Sequence, residues 1–197
     1  INGGVISVSI LEPKVGDIII QGNKRTKSFV IQRELKLKSG DLFNSTRLRH
    51  SLGKLQGLGY FEDVNVGFEP SEDPSVLNIV LTVVEKKTGH FGFSVSHGSE
   101  SGWSGGLDYT DTNWRGLGHN VNLGFEAGDN ERYWITYTQP FMDEKTYAWK
   151  AGIYKQYYDD VNYYKKGIKQ LEYDENKKGV FFGAGKKFRH DSKLSWF

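Results

Sequence analysis

The sequence contains no cysteine, which excludes a disulfide scaffold, a thiolate metal site and a cysteine nucleophile. No apolar run approaches the ~20 residues that a membrane helix needs. Charge of one sign is lacking too: 26 Lys plus Arg face 24 Asp plus Glu, a formal net of +2. That balance gives no electrostatic case for nucleic acid as a partner. Leu-rich helical stretches are scarce, which argues against a helical bundle. The chain opens Ile1-Asn2-Gly3, without Met or a signal-peptide pattern, and reads as an interior cut or a processed end.

What is abundant is glycine and aromatic side chains together: 24 glycines in 197 residues, and 14% Phe, Trp and Tyr. That pairing leans toward β structure with one wet and one dry face. The texture changes near Lys86-Lys87-Thr88, and two units are expected on either side of it.

The first unit reads β-α-α-β-β. After an alternating stretch from Val5 to Leu11, the run Ile18-Ile19-Ile20 closes at Gly22-Asn23 and predicts a strand, central in its sheet. Thr26 or Ser28 is a candidate cap for a helix carrying Val30, Ile31 and Leu35. Asn44 or Ser45 caps a second helix whose Leu48, Leu52 and Leu55 recur at i, i+4 and i+7. Strands at Val64–Glu69 and Leu77–Glu85 follow, around the turn Pro70-Ser71-Glu72-Asp73-Pro74.

The second unit holds a period of two. Phe91, Phe93 and Val95 oppose Gly92, Ser94 and Ser96. Val121, Leu123 and Phe125 oppose Asn122, Gly124 and Glu126. Further alternating runs lie near Leu107–Thr110, Arg132–Thr138, Tyr147–Ile153 and Val180–Gly185, and Leu194 to Phe197 begins a seventh. Runs of eight to eleven residues suit a tilted crossing of a hydrocarbon layer. Trp103, Trp114, Tyr133, Phe141, Tyr147 and Tyr157 fall near strand ends, as an interfacial girdle would. The connections alternate in kind, with Ser99–Gly102, Gly128–Asn130 and the long stretch Asp159–Lys177 on one side. Asn113–His119, Gln139–Lys145 and Arg189–Lys193 lie on the other. A soluble antiparallel sheet also alternates, so a soluble sheet stays open beside a transmembrane barrel.

Three stretches carry a resemblance. Gly22-Asn23-Lys24-Arg25-Thr26, Gly40-Asp41-Leu42-Phe43-Asn44 and Leu58-Gly59-Tyr60-Phe61-Glu62-Asp63-Val64 resemble a POTRA (polypeptide-transport-associated) domain. Glu85-Lys86-Lys87-Thr88-Gly89, with Asn113-Trp114-Arg115-Gly116-Leu117-Gly118 and Gln139-Pro140-Phe141, resembles the junction of the last POTRA and first barrel strands in BamA-type outer-membrane assembly factors. The resemblance implies an α+β POTRA domain (β-α-α-β-β) over residues 13–87, followed over 88–197 by all-β antiparallel transmembrane barrel strands. Residues 1–12 are similar to the end of a preceding POTRA module. Barrels of the family have sixteen strands, so the chain is expected to be part of a longer protein, since a ribbon of six or seven would leave open edges in lipid.

The resemblance further implies a non-enzymatic protein without cofactors. It would fold and insert β-barrel proteins in a cell outer membrane, its POTRA part in the periplasm. Implied partners are unfolded outer-membrane proteins, accessory assembly subunits reached through POTRA, and outer-membrane lipid. The candidate gate strand is His90, Phe91, Gly92, Phe93, Ser94, Val95 and Ser96, whose backbone would pair with an incoming client strand. Its glycines, with Gly89 and Gly98, lower strand stability or give room for twist. A secretion pore for a partner polypeptide, or a barrel anchoring an upstream patatin-like lipase, are the alternatives. The sequence preceding Ile1 would separate them.

Other motifs have plainer readings. Gly102-Trp103-Ser104-Gly105-Gly106 matches G-x-S-x-G, but a period-two strand follows where a nucleophile elbow needs a helix, and it reads as a hairpin turn. His50, His90, His97, His119 and His190 show no metal-ligand spacing. Asn44-Ser45-Thr46 fits a glycosylation acceptor and, more simply, a helix cap. Asp143-Glu144 and Asp159-Asp160 read as turn charges, and Gly116-x-Gly118 lacks the third glycine of a phosphate loop.

Overall fold

A computed structural model describes residues 12–98, 102–128, 130–140 and 147–186. The chain divides into two units between Lys86 and Lys87. The expected strand at Val5–Leu11, the seventh strand from Leu194, His190 and the Asp143-Glu144 pair lie outside the described residues.

The first unit runs β1 (Lys14–Gln21), α1 (Ser28–Gln32), α2 (Ser45–Gly57), β2 (Phe61–Pro70) and β3 (Val76–Glu85). Its sheet has the order β1-β3-β2, β1 parallel and β2 antiparallel to β3. Val15, Val30, Ile31, Leu48, Leu55, Tyr60, Val64, Ile79, Leu81 and Val83 form one buried cluster. Two expectations are corrected. Ile18–Ile20 lie in an edge strand, and the centre belongs to β3. β2 and β3 are joined by a short turn and pair antiparallel, and β1 takes the other side of β3; Ile19 points away from the core and is exposed. The first helix is one turn, capped by Lys27 with no side-chain hydrogen bond, and Leu35 lies beyond it.

Thr26 does not cap the helix because its hydroxyl, as well as its N–H, is bonded to the Glu85 carboxylate. The Glu85 carboxylate accepts the backbone N–H groups of Lys24 at 3.0 Å, Arg25 at 2.8 Å and Thr26 at 2.6 Å. Three successive donors on one carboxylate tie the loop after β1 to the end of β3. The second helix starts as expected, with Asn44 Oδ1 accepting from the Arg47 N–H at 2.9 Å. Leu48 and Leu55 are buried on its inner face, and Leu52 packs at the margin.

The second unit is a six-stranded antiparallel sheet in chain order: β4 (Gly89–Gly98), β5 (Gly102–Trp114), β6 (His119–Gly128), β7 (Asn130–Gln139), β8 (Tyr147–Lys165) and β9 (Ile168–Lys186). One connection differs from expectation. Asp159–Lys177 is no loop: β8 and β9 continue as a two-stranded ribbon, pairing Val161 with Tyr173 and Tyr163 with Leu171, and reverse at Lys166-Gly167. Cross-strand aromatic and aliphatic pairs hold this ribbon, and the intervening charges conceal the alternation. Asp159-Asp160 falls in the register shift after Tyr158 and not in a turn. Among the described residues no helix is long and apolar enough to cross a membrane, which says nothing of strands.

Candidate functional site

All seven candidate residues, His90 to Ser96, lie in β4, which pairs with β5 alone among the described strands. The phase of that pairing follows from one bond. Thr112 N–H donates to the Thr88 carbonyl at 3.2 Å, and the register continues without a shift from Gly89↔Asp111 to Gly98↔Gly102. In an antiparallel ladder the bonded pairs alternate. His90, Gly92, Ser94 and Ser96 therefore direct their N–H and C=O groups into β5. Phe91, Phe93 and Val95 direct theirs toward the open edge. The same three side chains are 87%, 84% and 70% exposed and stand on the apolar face of the sheet.

The glycines of this strand have a steric cause that the sequence did not reveal. A Cβ on Gly89 would lie 2.7 Å from the Tyr109 hydroxyl, and one on Gly92 2.3 Å from Asp108 Oδ1. Residues of β5 lean across β4 and occupy the space a side chain would need.

Both ends of β4 are held by polar side chains. At its base Thr88 Oγ1 donates to Asp111 Oδ1 at 2.7 Å. Asp111 also accepts from the Asn113 N–H at 2.9 Å, and Asn113 Oδ1 accepts from the Gly118 N–H at 2.8 Å. Thr88, Asp111 and Asn113 are buried, so their satisfaction is obligatory. At the tip Ser96 Oγ and Ser104 Oγ lie 2.7 Å apart, and Ser104 Oγ donates to Glu126 at 2.8 Å. Ser104 thus lies within β5 on the polar face, not in the hairpin turn expected for it and without the strand-turn-helix geometry of a nucleophile elbow. On that face Asn122 Nδ2 donates to Thr110 at 2.7 Å and Trp134 Nε1 to Asn122 at 2.6 Å. Among the described residues no three His, Asp or Glu side chains converge as metal ligands.

Register partners trace rows across the sheet. Phe91, Tyr109, Leu123, Ile135, Ile153 and Val180 form one complete apolar row. The next row toward the tips runs Phe93, Leu107, Phe125, Tyr133 and then Lys155 and Lys178. The row toward the base starts with Gly89 and Asp111 and ends apolar with Ala151 and Phe182. The apolar band therefore crosses the strands on a diagonal. Its upper edge falls from the row of Val95 on β4 to the row of Ile153 on β8, which is two rows, four residues or ~13 Å, over four strand spacings of ~19 Å, a tilt of about 35°. That value falls in the range of barrel strands crossing a bilayer.

Sequence reasoning missed Glu85, Thr88–Asp111 and Lys155–Lys178. An Asp and two Lys at positions where alternation calls for apolar residues were the available signal for the last two. In the first unit, burial raises the Glu85 carboxyl, but the hydrogen bonds from Thr26, Arg25 and Lys24 outweigh it and hold Glu85 below the ordinary carboxylate value.

Comparison with known proteins bears on both units. The POTRA family model, described as a surface antigen variable number repeat, matches residues 13–86. A putative outer membrane protein assembly factor of Treponema pallidum is 35% identical over 160 residues, 71% of this chain and 19% of that protein. The outer membrane protein assembly factor BamA of Nitratidesulfovibrio vulgaris is 26% identical over 153 residues, 75% of this chain and 19% of that protein. This chain thus spans about a fifth of the length of the curated relatives it matches. Its fold superposes on the crystal structure of BamA from Haemophilus ducreyi lacking POTRA domains 1–3, with a TM-score of 0.76 and 23% identity over 88% of this chain and 32% of the other.

Proposed function

Because the chain belongs to the BamA-type family, in which a POTRA domain is followed by outer-membrane barrel strands, we propose that the protein containing it assembles and inserts β-barrel proteins into the outer membrane. The POTRA unit faces the periplasm, where it receives unfolded outer-membrane proteins and accessory assembly subunits. β4 is the templating strand. The observation that carries this reading is the edge itself: Phe91, Phe93 and Val95 direct backbone donors and acceptors outward from a strand anchored at both ends. β-Augmentation draws its affinity from such main-chain groups. Strand exchange makes and breaks no covalent bond, so the scheme asks nothing of a cofactor.

Proline substitution tests it in the full-length protein, because proline removes one N–H. At Phe91, Phe93 or Val95 it deletes an outward donor, and at His90, Ser94 or Ser96 a bond to β5. Outward prolines should impair client insertion at least tenfold in reconstituted vesicles while the barrel keeps its heat-modifiable mobility. Inward prolines should loosen the barrel. Folded outward variants that insert clients at the normal rate would leave a secretion pore or passive carrier as the better reading.

A further inference from the structure

The row that ends in Lys155 and Lys178 borders a groove on the apolar face. It has a volume of about 620 Å³ and is lined by Phe91, Leu107, Leu123, Phe125, Ile135 and Ile153, with Lys155 at the β8 end. From Phe91 on β4 to Lys155 on β8 it spans four strand spacings, ~19 Å. With strands tilted by about 35–40° the groove rises ~12 Å along that length, close to the ~15 Å hydrocarbon depth of one leaflet. Its Phe91 end lies inside the apolar band, next to the base-side row of Gly89 and Asp111. Its Lys155 end lies where the band gives way to polar residues, at the sheet margin away from the base of β4.

The lysines at that end are a second, independent observation. Lys155 and Lys178 are direct cross-strand partners on the same face, and like charges so placed repel. Both are exposed, and neither has an ion-pair partner among the described residues. Glu131, one row further out on β7, makes no ion pair with Lys155. Tyr133 stands beside Lys155 in the row, as an interfacial aromatic does. An anion seated between the two ammonium groups relieves the repulsion, and an apolar chain attached to it has a track leading down the wall.

We propose that this groove is a site for one anionic phospholipid, its phosphate between Lys155 and Lys178 and one acyl chain along Leu123, Ile135 and Ile153 toward Phe91. The assignment rests on the reading of the second unit as a membrane wall. It gives the candidate templating strand a lipid neighbour whose chain ends against Phe91.

Native mass spectrometry of the full-length protein released from detergent tests it, with phosphatidylglycerol and phosphatidylcholine of equal chain length as probes. Wild type should retain phosphatidylglycerol at least fivefold more strongly. K155Q/K178Q should abolish the preference, K155R/K178R should keep it, and Ile135→Trp, which fills the groove, should weaken retention of both lipids. Lys177→Gln, on the other face, should change nothing. Equal retention of the two lipids by wild type, or an unchanged preference in K155Q/K178Q, overturns the site. Stronger retention of a lipid A glycolipid than of phosphatidylglycerol overturns the phospholipid assignment. A nitroxide at Leu123→Cys separates the two levels. Contact with water there sinks the membrane-wall reading and the site with it, whereas lipid contact without headgroup preference sinks the site alone.

Discussion

The Asp111 carboxylate, fully buried on the apolar face of the sheet, accepts a 2.7 Å hydrogen bond from the hydroxyl of Thr88, the residue that precedes β4. A carboxylate in that position is tolerable only with its partners in place. Thr88→Val keeps the shape and removes the donor, and should cost about 1–3 kcal/mol of barrel stability, while Thr88→Ser should restore most of it. Urea titration of the fraction with folded, heat-modifiable mobility measures this. Equal midpoints for wild type and Thr88→Val would show that the bond contributes nothing.

The loop clamp on Glu85 has a pH signature. Its folded-state value lies below the ordinary 4.5, so the stabilisation is complete above the unfolded value and is lost as pH falls through the folded one. Unfolding of the first unit should be independent of pH through this group above about pH 5.5 and should weaken progressively below about pH 4.5. In Glu85→Gln that acid-side slope should shrink while stability at neutral pH drops. Parallel pH profiles for the two proteins would contradict the clamp.

Within α2, Leu55 is wholly buried and Leu52 lies at the core margin. Leu55→Ala should therefore destabilise the first unit by about 2–5 kcal/mol, and Leu52→Ala by clearly less. Chemical denaturation monitored by circular dichroism ranks them. The reverse order would mean that the helix is rotated from its described face.

Leu123 and Asn122 test the sidedness of the second unit, since they are neighbours on β6 with opposite facing. Leu123→Arg should cost ~2–4 kcal/mol if it meets hydrocarbon near the midplane, and Asn122→Arg much less. Folding titrations into lipid vesicles would show the difference. Equal penalties would argue that neither face is lipid-exposed.

The β-α-α-β-β order, the start of α2 at Asn44 and the strands of the second unit were legible in the sequence, because capping chemistry and the period of alternation are local properties. Even the two faces of β6 could be assigned, since each step along a strand reverses the side chain's direction. Which strand is central was not legible. Ile18-Ile19-Ile20 is as apolar as the core of β3, and only pairing decides that β3 lies between β1 and β2. The length of the β8–β9 ribbon was likewise hidden, because its charged residues resemble a loop until Tyr163 is set opposite Leu171.

In the sequence alone β4 is already an alternating strand rich in glycine. Tertiary structure decided what those features mean: Gly89 and Gly92 yield space to Tyr109 and Asp108, Thr88 and Asp111 meet across 23 residues, and Lys155 faces Lys178 across the same number. Each of these depends on strand register, and register is set by the whole sheet, where a slip of one residue would exchange the faces of every strand.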